Sequence, residues 1–187
     1  MLGDKEMIKR CIMIFPEFNN IEVINNIRKK YDPLAHHVRP HITLVFSFQS
    51  KIKTDELRKH VENVLLKTNP FEITLKNITS ARNKFGNYLF LNIVEGMDEI
   101  KQIHKNLYTD ILDVYKPVWL RGKESYHPHM TVGVVENEKD YEFAIKETEK
   151  INEIFTTVVE RVSIEIIDNN KDSIIEMEIG LKDNKNY

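Results

Sequence analysis

Two rhythms of apolar residues divide this chain. An unbroken run, Cys11-Ile12-Met13-Ile14-Phe15, closed by Pro16, predicts a buried strand over 9–15. Ile21, Ile24 and Ile27, with Val23 beside them, have helical spacing and predict a helix over 20–31 that stops before Asp32-Pro33. Leu34-Ala35-His36-His37-Val38 reads as a loop. Pro40 then opens an apolar strand from His41 to Phe46, where a proline costs no interior ladder bond. Thr54 is an N-cap candidate for a helix with Leu57, Val61, Val64 and Leu65 inward, ended by Asn69-Pro70. Phe71, Ile73 and Leu75 alternate with Glu72, Thr74 and Lys76, which predicts a half-buried strand over 71–79. A turn over 83–87 returns the chain as a strand over 88–94, making a hairpin.

Gly96 begins a second cycle. Ile100, Ile103, Leu107, Ile111 and Leu112 predict a helix over 98–113, and 115–125 is a loop containing Pro117, Trp119, Arg121 and Gly122. A second apolar strand starts at His129. Tyr141, Ala144, Ile145 and Thr148 predict a helix over 138–150, and strands over 155–168 and 173–181 flank a turn at 169–172. The order helix, strand, helix, strand, hairpin strand therefore occurs twice, with the first strand left over. The phase agrees: His41 to Phe71 is 30 residues, His129 to Phe155 is 26, and each interval holds one helix. We read one bilobal domain over 1–187, built from repeat units 16–95 and 96–181. A pseudo-two-fold between them would bring equivalent strands together.

Composition narrows the classes of partner. At 187 residues, 41% hydrophobic and 30% charged, the chain suits one sizeable soluble domain or two small lobes sharing a core. A formal charge of −2 supplies no global positive field, which disfavours a long RNA track and leaves room for a cleft that takes a small anion. The single cysteine, Cys11, excludes an intramolecular disulfide and reads as a buried strand residue. The charged start, Met1-Leu2-Gly3-Asp4-Lys5-Glu6, does not have the form of a secretory leader, and no segment approaches the about 20 apolar residues of a membrane span. The expectation is a cytoplasmic monomer with no membrane association.

The two apolar strands that follow a proline share one stretch: Pro40-His41-Ile42-Thr43, and Pro128-His129-Met130-Thr131. Residues i and i+2 of a strand point to one face, so each copy sets an imidazole beside a hydroxyl. With seven histidines and ten threonines in 187 residues, chance gives roughly 0.4 such pairings. Two copies at one place in a repeated element order are hard to assign to accident. Either both histidines are hydrogen-bonded core residues, or the strands supply two proton-transfer groups and two hydroxyls for phosphate.

The residues His41-Ile42-Thr43 and His129-Met130-Thr131 resemble the paired His-x-Thr/Ser motifs that define the two-histidine (2H) phosphoesterase superfamily, which includes 2'-5' RNA ligase-like proteins and RNA 2',3'-cyclic phosphodiesterases. Through motif spacing and element order the resemblance covers nearly the whole chain. It implies an α+β fold, duplicated and two-lobed, with antiparallel-rich sheets related by a pseudo-two-fold, helices outside and a cleft between the lobes. It further implies a metal-independent and cofactor-free phosphoesterase whose catalytic residues are His41, Thr43, His129 and Thr131. The substrate would be a small nucleotide or an RNA end bearing a 2',3'-cyclic phosphate, or a 2'-5' linkage. By the same resemblance His41 donates the proton and His129 accepts it when the product is a 2'-phosphate. Reversing the reaction, or cleaving the other ester bond, exchanges those roles.

Around the motifs, Arg39 is either a phosphate-neutralising group on the His41 face or an exposed charge. Arg121 and Lys123 are candidate cleft cations, and Tyr126 and Phe48 are either base-stacking or core aromatics. His127 and His129 could begin a zinc site, but no third ligand has matching spacing. His36 and His37 read as loop residues, His60 and His104 as solvated helix positions. A reading from another class keeps the same cleft as a non-catalytic module that binds a phosphorylated RNA end or nucleotide.

Overall fold

The computed structural model describes residues 7–83, 86–121 and 126–182. Eight strands, β1 (Ile8–Ile14), β2 (Ile42–Ser50), β3 (Phe71–Asn83), β4 (Gly86–Glu95), β5 (His129–Val135), β6 (Phe155–Val159), β7 (Arg161–Ile167) and β8 (Ser173–Gly180), form one sheet in the order β6-β3-β4-β5-β2-β1-β7-β8. Every pairing among the described residues is antiparallel. Among the described residues four helices, α1 (Ile21–Tyr31), α2 (Thr54–Leu65), α3 (Met97–Leu107) and α4 (Glu138–Thr148), and two 3-10 turns, Asp110–Tyr115 and Val118–Arg121, complete the α+β fold.

The connectivity forces the sheet to curl. β6 lies at one edge against β3, while β7 lies against β1, six places along the strand order, and only Glu160 separates the two strands. Six flat steps of about 4.8 Å would put them about 29 Å apart, whereas the link from Val159 to Arg161 reaches about 7 Å. The ends of the sheet therefore bend toward each other. The strand that the periodicity predicts over 155–168 is two strands for this reason: the chain breaks at Glu160 as it changes partner. The first strand, left over in the sequence pattern, pairs with β2 as β4 pairs with β5, so each motif strand is flanked by one strand of matching position.

Helices cover one face of the curled sheet. α1 packs on β5, α3 on β2, α4 on β3 and β5, and α2 on α3 and β8. Ile12, Ile14, Ile42, Leu89, Leu91, Met130 and Val132 join Ile24, Ile27, Leu57, Val61, Ile100, Ile103 and Leu107 in one continuous core. The approach of α1 is close enough that a Cβ at Gly133 would stand 2.9 Å from Leu89 Cδ1 and 3.1 Å from Tyr31 Cβ, so only glycine fits without a shift. Cys11 is buried as its apolar setting predicts; its thiol donates to the Val45 carbonyl at 3.0 Å, and burial pushes its pKa up to about 12.

Three local expectations need correction. The helix predicted over 98–113 ends at Leu107, because Asp110 takes a positive φ of 46° and the chain continues as a 3-10 turn. His60 and His104 are not solvated, being 8% and 5% exposed. α2 packs on α3 and α3 on β2, and both rings meet backbone carbonyls there, His60 Nε2 at Leu107 O (3.0 Å) and His104 Nδ1 at Leu44 O (2.7 Å).

Candidate functional site

β2 and β5 meet through a single residue pair, Ile42 opposite Met130. Both side chains are fully buried, so the residues on either side of each point to the opposite, helix-free face. In this antiparallel register His41 lies opposite Thr131 and Thr43 opposite His129. The four side chains therefore share one face beside that pair, and His129 lies near enough for its charge to act on His41. All four are half-buried.

The two imidazoles are fixed in the same way. His41 Nδ1 lies 2.8 Å from the Arg39 carbonyl, and His129 Nδ1 lies 2.8 Å from the His127 carbonyl. A carbonyl only accepts, so Nδ1 carries the proton in both rings, and Nε2 is the atom that gains or loses one. Among the described residues neither Nε2 has a hydrogen-bond partner. Burial is the largest influence on each ring and lowers both pKa values from the usual 6.5. The carbonyl bond opposes that shift in each case. Charge on His129 further disfavours charge on His41, as does the Arg28 guanidinium, while the Asp32 carboxylate favours it. The pair therefore favours holding one proton over holding two.

A β-bulge follows each threonine. Met13 faces Thr43 and Ile12 faces Val45, leaving Leu44 as the extra residue; Phe90 faces Thr131 and Leu89 faces Gly133, leaving Val132. Bulges re-aim the side chains beside them and are frequent next to active sites.

The supports behind the two motifs differ. The loop that delivers His41 is tied by the buried pair Arg28–Asp32, two residues at helical spacing. Arg28 Nε donates to Asp32 Oδ2 at 2.8 Å and Nη1 to the Val38 carbonyl at 2.9 Å, while Asp32 Oδ1 accepts from Leu34 N at 2.9 Å. Beyond Ile42, where β2 has no partner in β5, its backbone is satisfied by side chains. Tyr126 Oη donates to Thr43 O at 2.6 Å, His104 Nδ1 donates to Leu44 O, and Tyr108 Oη accepts from Phe46 N at 2.9 Å. The His104 and Tyr126 rings stack with centroids 3.6 Å apart and planes 6° from parallel. Burial holds the His104 pKa down to about 4 and pushes both phenols up, so His104 is neutral at pH 7 and each tyrosine keeps its proton.

The remaining candidates separate clearly. Arg39 is exposed, lies over the Phe15 ring at 4.2 Å, and is next to the site because its carbonyl holds His41. Arg121 donates to the carbonyls of Lys116 and Asp113 at 3.1 and 2.6 Å, which ties its guanidinium to the 3-10 turns. Phe48 is buried against Tyr115, and Tyr126 is occupied with Thr43 and His104. Lys123, like residues 84–85 of the turn expected over 83–87, lies outside the described residues. His127 is exposed, and among the described residues no group of three or more His, Cys, Asp or Glu side chains could hold a metal.

Residues that periodicity did not single out stand closer to the motifs. Phe90 lies on the His129 ring at 3.9 Å and is stacked on Tyr88; Phe15 meets the His41 ring edge at 6.1 Å; Phe46 contacts both Tyr126 and the half-exposed Trp119. Alternation in β4 carried a signal, since Tyr88, Phe90 and Asn92 interleave with the buried Leu89, Leu91 and Ile93. Arg28 and His104 also carried one: each falls on the apolar stripe of its helix.

Comparisons with known proteins bear on the family and the fold. A protein of Bacillus licheniformis, named as a presumed phosphoesterase, is 28% identical over 130 residues, covering 67% of this chain and 70% of that one. A Geobacillus thermodenitrificans protein of the same designation is 28% identical over 127 residues, covering 67% and 69%. Among solved structures, Escherichia coli LigT complexed with 3'-AMP matches with a TM-score of 0.53 at 13% identity, over 95% of this chain and all of that one. A Thermus thermophilus protein matches with a TM-score of 0.63 at 11% identity, over 94% and 99%. At such identities the structures establish the shared fold, and the relatives' names support a phosphoesterase function. The model of the 2'-5' RNA ligase superfamily matches residues 16–171, and the chain belongs to that superfamily of two-histidine phosphoesterases.

Proposed function

We propose that this protein is a metal-independent phosphoesterase that hydrolyses a ribose 2',3'-cyclic phosphate or a 2'-5' linkage on a small nucleotide or an RNA end, with His41, Thr43, His129 and Thr131 as its catalytic residues. The observation that carries the reading is the single β2–β5 pair, Ile42 with Met130, which puts both imidazoles and both hydroxyls on one face with each Nδ1 committed to a carbonyl. The neutral imidazole takes a proton from water at Nε2 as the water oxygen bonds to phosphorus. The charged imidazole gives its Nε2 proton to the departing ribose oxygen as the P–O bond breaks. Thr43 and Thr131 donate to the non-bridging oxygens, where negative charge grows. The scheme assigns the two protonation states without naming which ring starts charged, because the reaction's direction and the bond cleaved exchange them. The solved structures of E. coli LigT with 3'-AMP and with phosphate support a ligand of this class for the shared fold.

The test is a panel of 2',3'-cyclic mononucleotides, cyclic-ended RNA and 2'-5' dinucleotides, assayed with chelator present and with the His41→Ala variant as control. Turnover that survives chelator and vanishes in the variant is expected. Activity that chelator abolishes, or that His41→Ala retains, overturns the reading. Binding of these ligands without turnover would leave the cleft as a recognition module.

A further inference from the structure

The two motif imidazoles differ in the aromatic ring beside each. Phe90 lies against the His129 ring with centroids 3.9 Å apart and planes 34° from parallel, so the rings meet largely face to face. Phe15 stands 6.1 Å from the His41 ring at 61°, which is an edge contact. The register sets this difference. On β4 it is Asn92 that faces His129 and Phe90 that faces Thr131, so Phe90 is the diagonal neighbour within reach of a long ring. Tyr88 stacks on Phe90 in turn, at 5.5 Å and 25°, and the three rings stand in a row on the helix-free face. The proton-transfer scheme gives Phe90 no part.

A ring face carries negative potential and attracts a cation lying over it, whereas a ring edge does not. The Phe90 face therefore favours the imidazolium form of His129. Phe15 offers His41 no such help, because the Arg39 guanidinium already lies over that ring at 4.2 Å. Nearby charges leave the bias in place. On His41, Arg28 from α1 and Asp32 beyond its C-terminus oppose each other, and charge on His129 disfavours a second cation. On His129 the acting group is the exposed His127 of the same strand. The facing Asn92 is uncharged, its amide committed to Thr79 and to the Asn77 carbonyl.

We propose that Phe90 is a positioning residue that makes His129 the ring holding the pair's proton in the resting protein, with His41 neutral; the catalytic part of this proposal rests on the motif site acting as a phosphoesterase. In that reaction His41 Nε2 takes a proton from the attacking water as the water oxygen bonds to phosphorus. His129 Nε2 gives its proton to the departing ribose oxygen as that P–O bond breaks, and the pair's proton ends on His41. The assignment is opposite to the one the superfamily resemblance implies for a 2'-phosphate product. It follows the ring contacts, which the order of the motifs along the chain does not record.

The first measurement is an NMR titration of the free protein, with the His41 and His129 resonances assigned through the two alanine variants. His129 should titrate above His41. Phe90→Leu should lower the His129 midpoint by about 0.5 to 1 pH unit, the size of one cation–π contact, and Phe90→Tyr, which keeps a ring face, should restore it. The sign is diagnostic. Burial already lowers His129, so a Phe90 that acted only by packing would let the midpoint rise when trimmed to leucine. The second measurement uses a nucleoside 4-nitrophenyl phosphate diester, whose leaving group departs without a proton. On this substrate His129→Ala should recover about ten-fold or more of the loss it shows on a cyclic nucleotide, and His41→Ala should not. A His41 that titrates above His129, a His129 midpoint that rises or stays in Phe90→Leu, or recovery in His41→Ala instead overturns the proposal. The wild-type order decides the matter even if Phe90→Leu does not fold. If nothing is turned over, the phosphoesterase reading fails alone, and the titration still supports or overturns the place of the proton.

Discussion

The two His-x-Thr stretches are alike in the side chains they present to the proposed site and unlike in what stands behind them. Each sits on one face, each commits Nδ1 to the carbonyl two residues back, and each is followed by a one-residue bulge. Each motif has sheet on one side: Asn92 faces His129, Leu91 faces Met130 and Phe90 faces Thr131 behind the second, as Ile14 faces Ile42 and Met13 faces Thr43 behind the first. At the first motif the edge of β2 away from β1 holds only the single pair with β5. Along that edge Tyr126, His104 and Tyr108 take the hydrogen bonds that a neighbouring strand would supply, and a buried ion pair ties down the loop in front. On the proposed function, the difference teaches that a symmetric reaction needs symmetric functional atoms and does not need symmetric scaffolding.

The most severe way to break the comparison is to remove the imidazoles. His41→Ala and His129→Ala should each lower kcat by about 10³-fold or more, within the usual range for a general acid or base, and the double variant should lose little beyond the worse single one, because the pair acts as a unit. Steady-state kinetics on a cyclic nucleotide checks this; a single variant with near wild-type kcat would end the equivalence. Thr43→Val and Thr131→Val should cost about 10²-fold each, as loss of one donor to a developing oxyanion does. Equal losses would mean that both hydroxyls meet the phosphate.

The scaffolding should respond unequally. Arg28→Met leaves the Asp32 carboxylate buried without its partner, and chemical denaturation should show a loss of about 3–5 kcal/mol. Tyr126→Phe removes a single hydroxyl and leaves the Thr43 carbonyl short of a donor, for about 1–3 kcal/mol. Its kcat should fall several-fold with KM little changed if Thr43 is displaced, and among the described residues no side-chain hydroxyl supports the second motif in the same way. His104 extends the asymmetry to pH. Its pKa is depressed from 6.5 to about 4, so its contribution to stability is complete above pH 6.5 and is lost as pH falls toward 4. Melting temperatures across that window should fall in the wild type and flatten in His104→Asn.

The smallest effect is the sharpest comparison. Both motif histidines are lowered from 6.5 by burial, so the bell-shaped profile of kcat/KM should have its basic limb below pH 6.5. In His129→Ala the remaining His41 should titrate higher, since a like charge has been removed. Imidazole proton resonances followed against pH report the shift, and a downward movement would mean that the two rings do not interact.

Much of this was legible before the chain was folded, and the misses share a cause. The helices at 21–31 and 54–65 and the hairpin of β3 and β4 follow periods of 3.6 and 2 that local residues set. The strand over 155–168 could not be divided by periodicity, because its break at Glu160 comes from a change of partner between β3 and β1. Residue type points His60 and His104 to solvent, although their positions lie on apolar stripes. The sequence offers Phe48 and Tyr126 as aromatics near a motif, but which aromatic stands beside a histidine depends on bulges and strand neighbours. Phe90 and Phe15 therefore take the places nearest the rings.

The sequence by itself determined that two imidazole–hydroxyl pairs exist, each on one face of an apolar strand, and that the superfamily is the two-histidine one. Spacing of two along a strand is a local property, and the chain writes it directly. Only the tertiary structure decided that Ile42 meets Met130, which sets each imidazole opposite the other motif's hydroxyl. That pair joins residues 88 positions apart in the chain. It depends on the order of strands in one sheet, and no local pattern encodes the register between strands so distant in sequence.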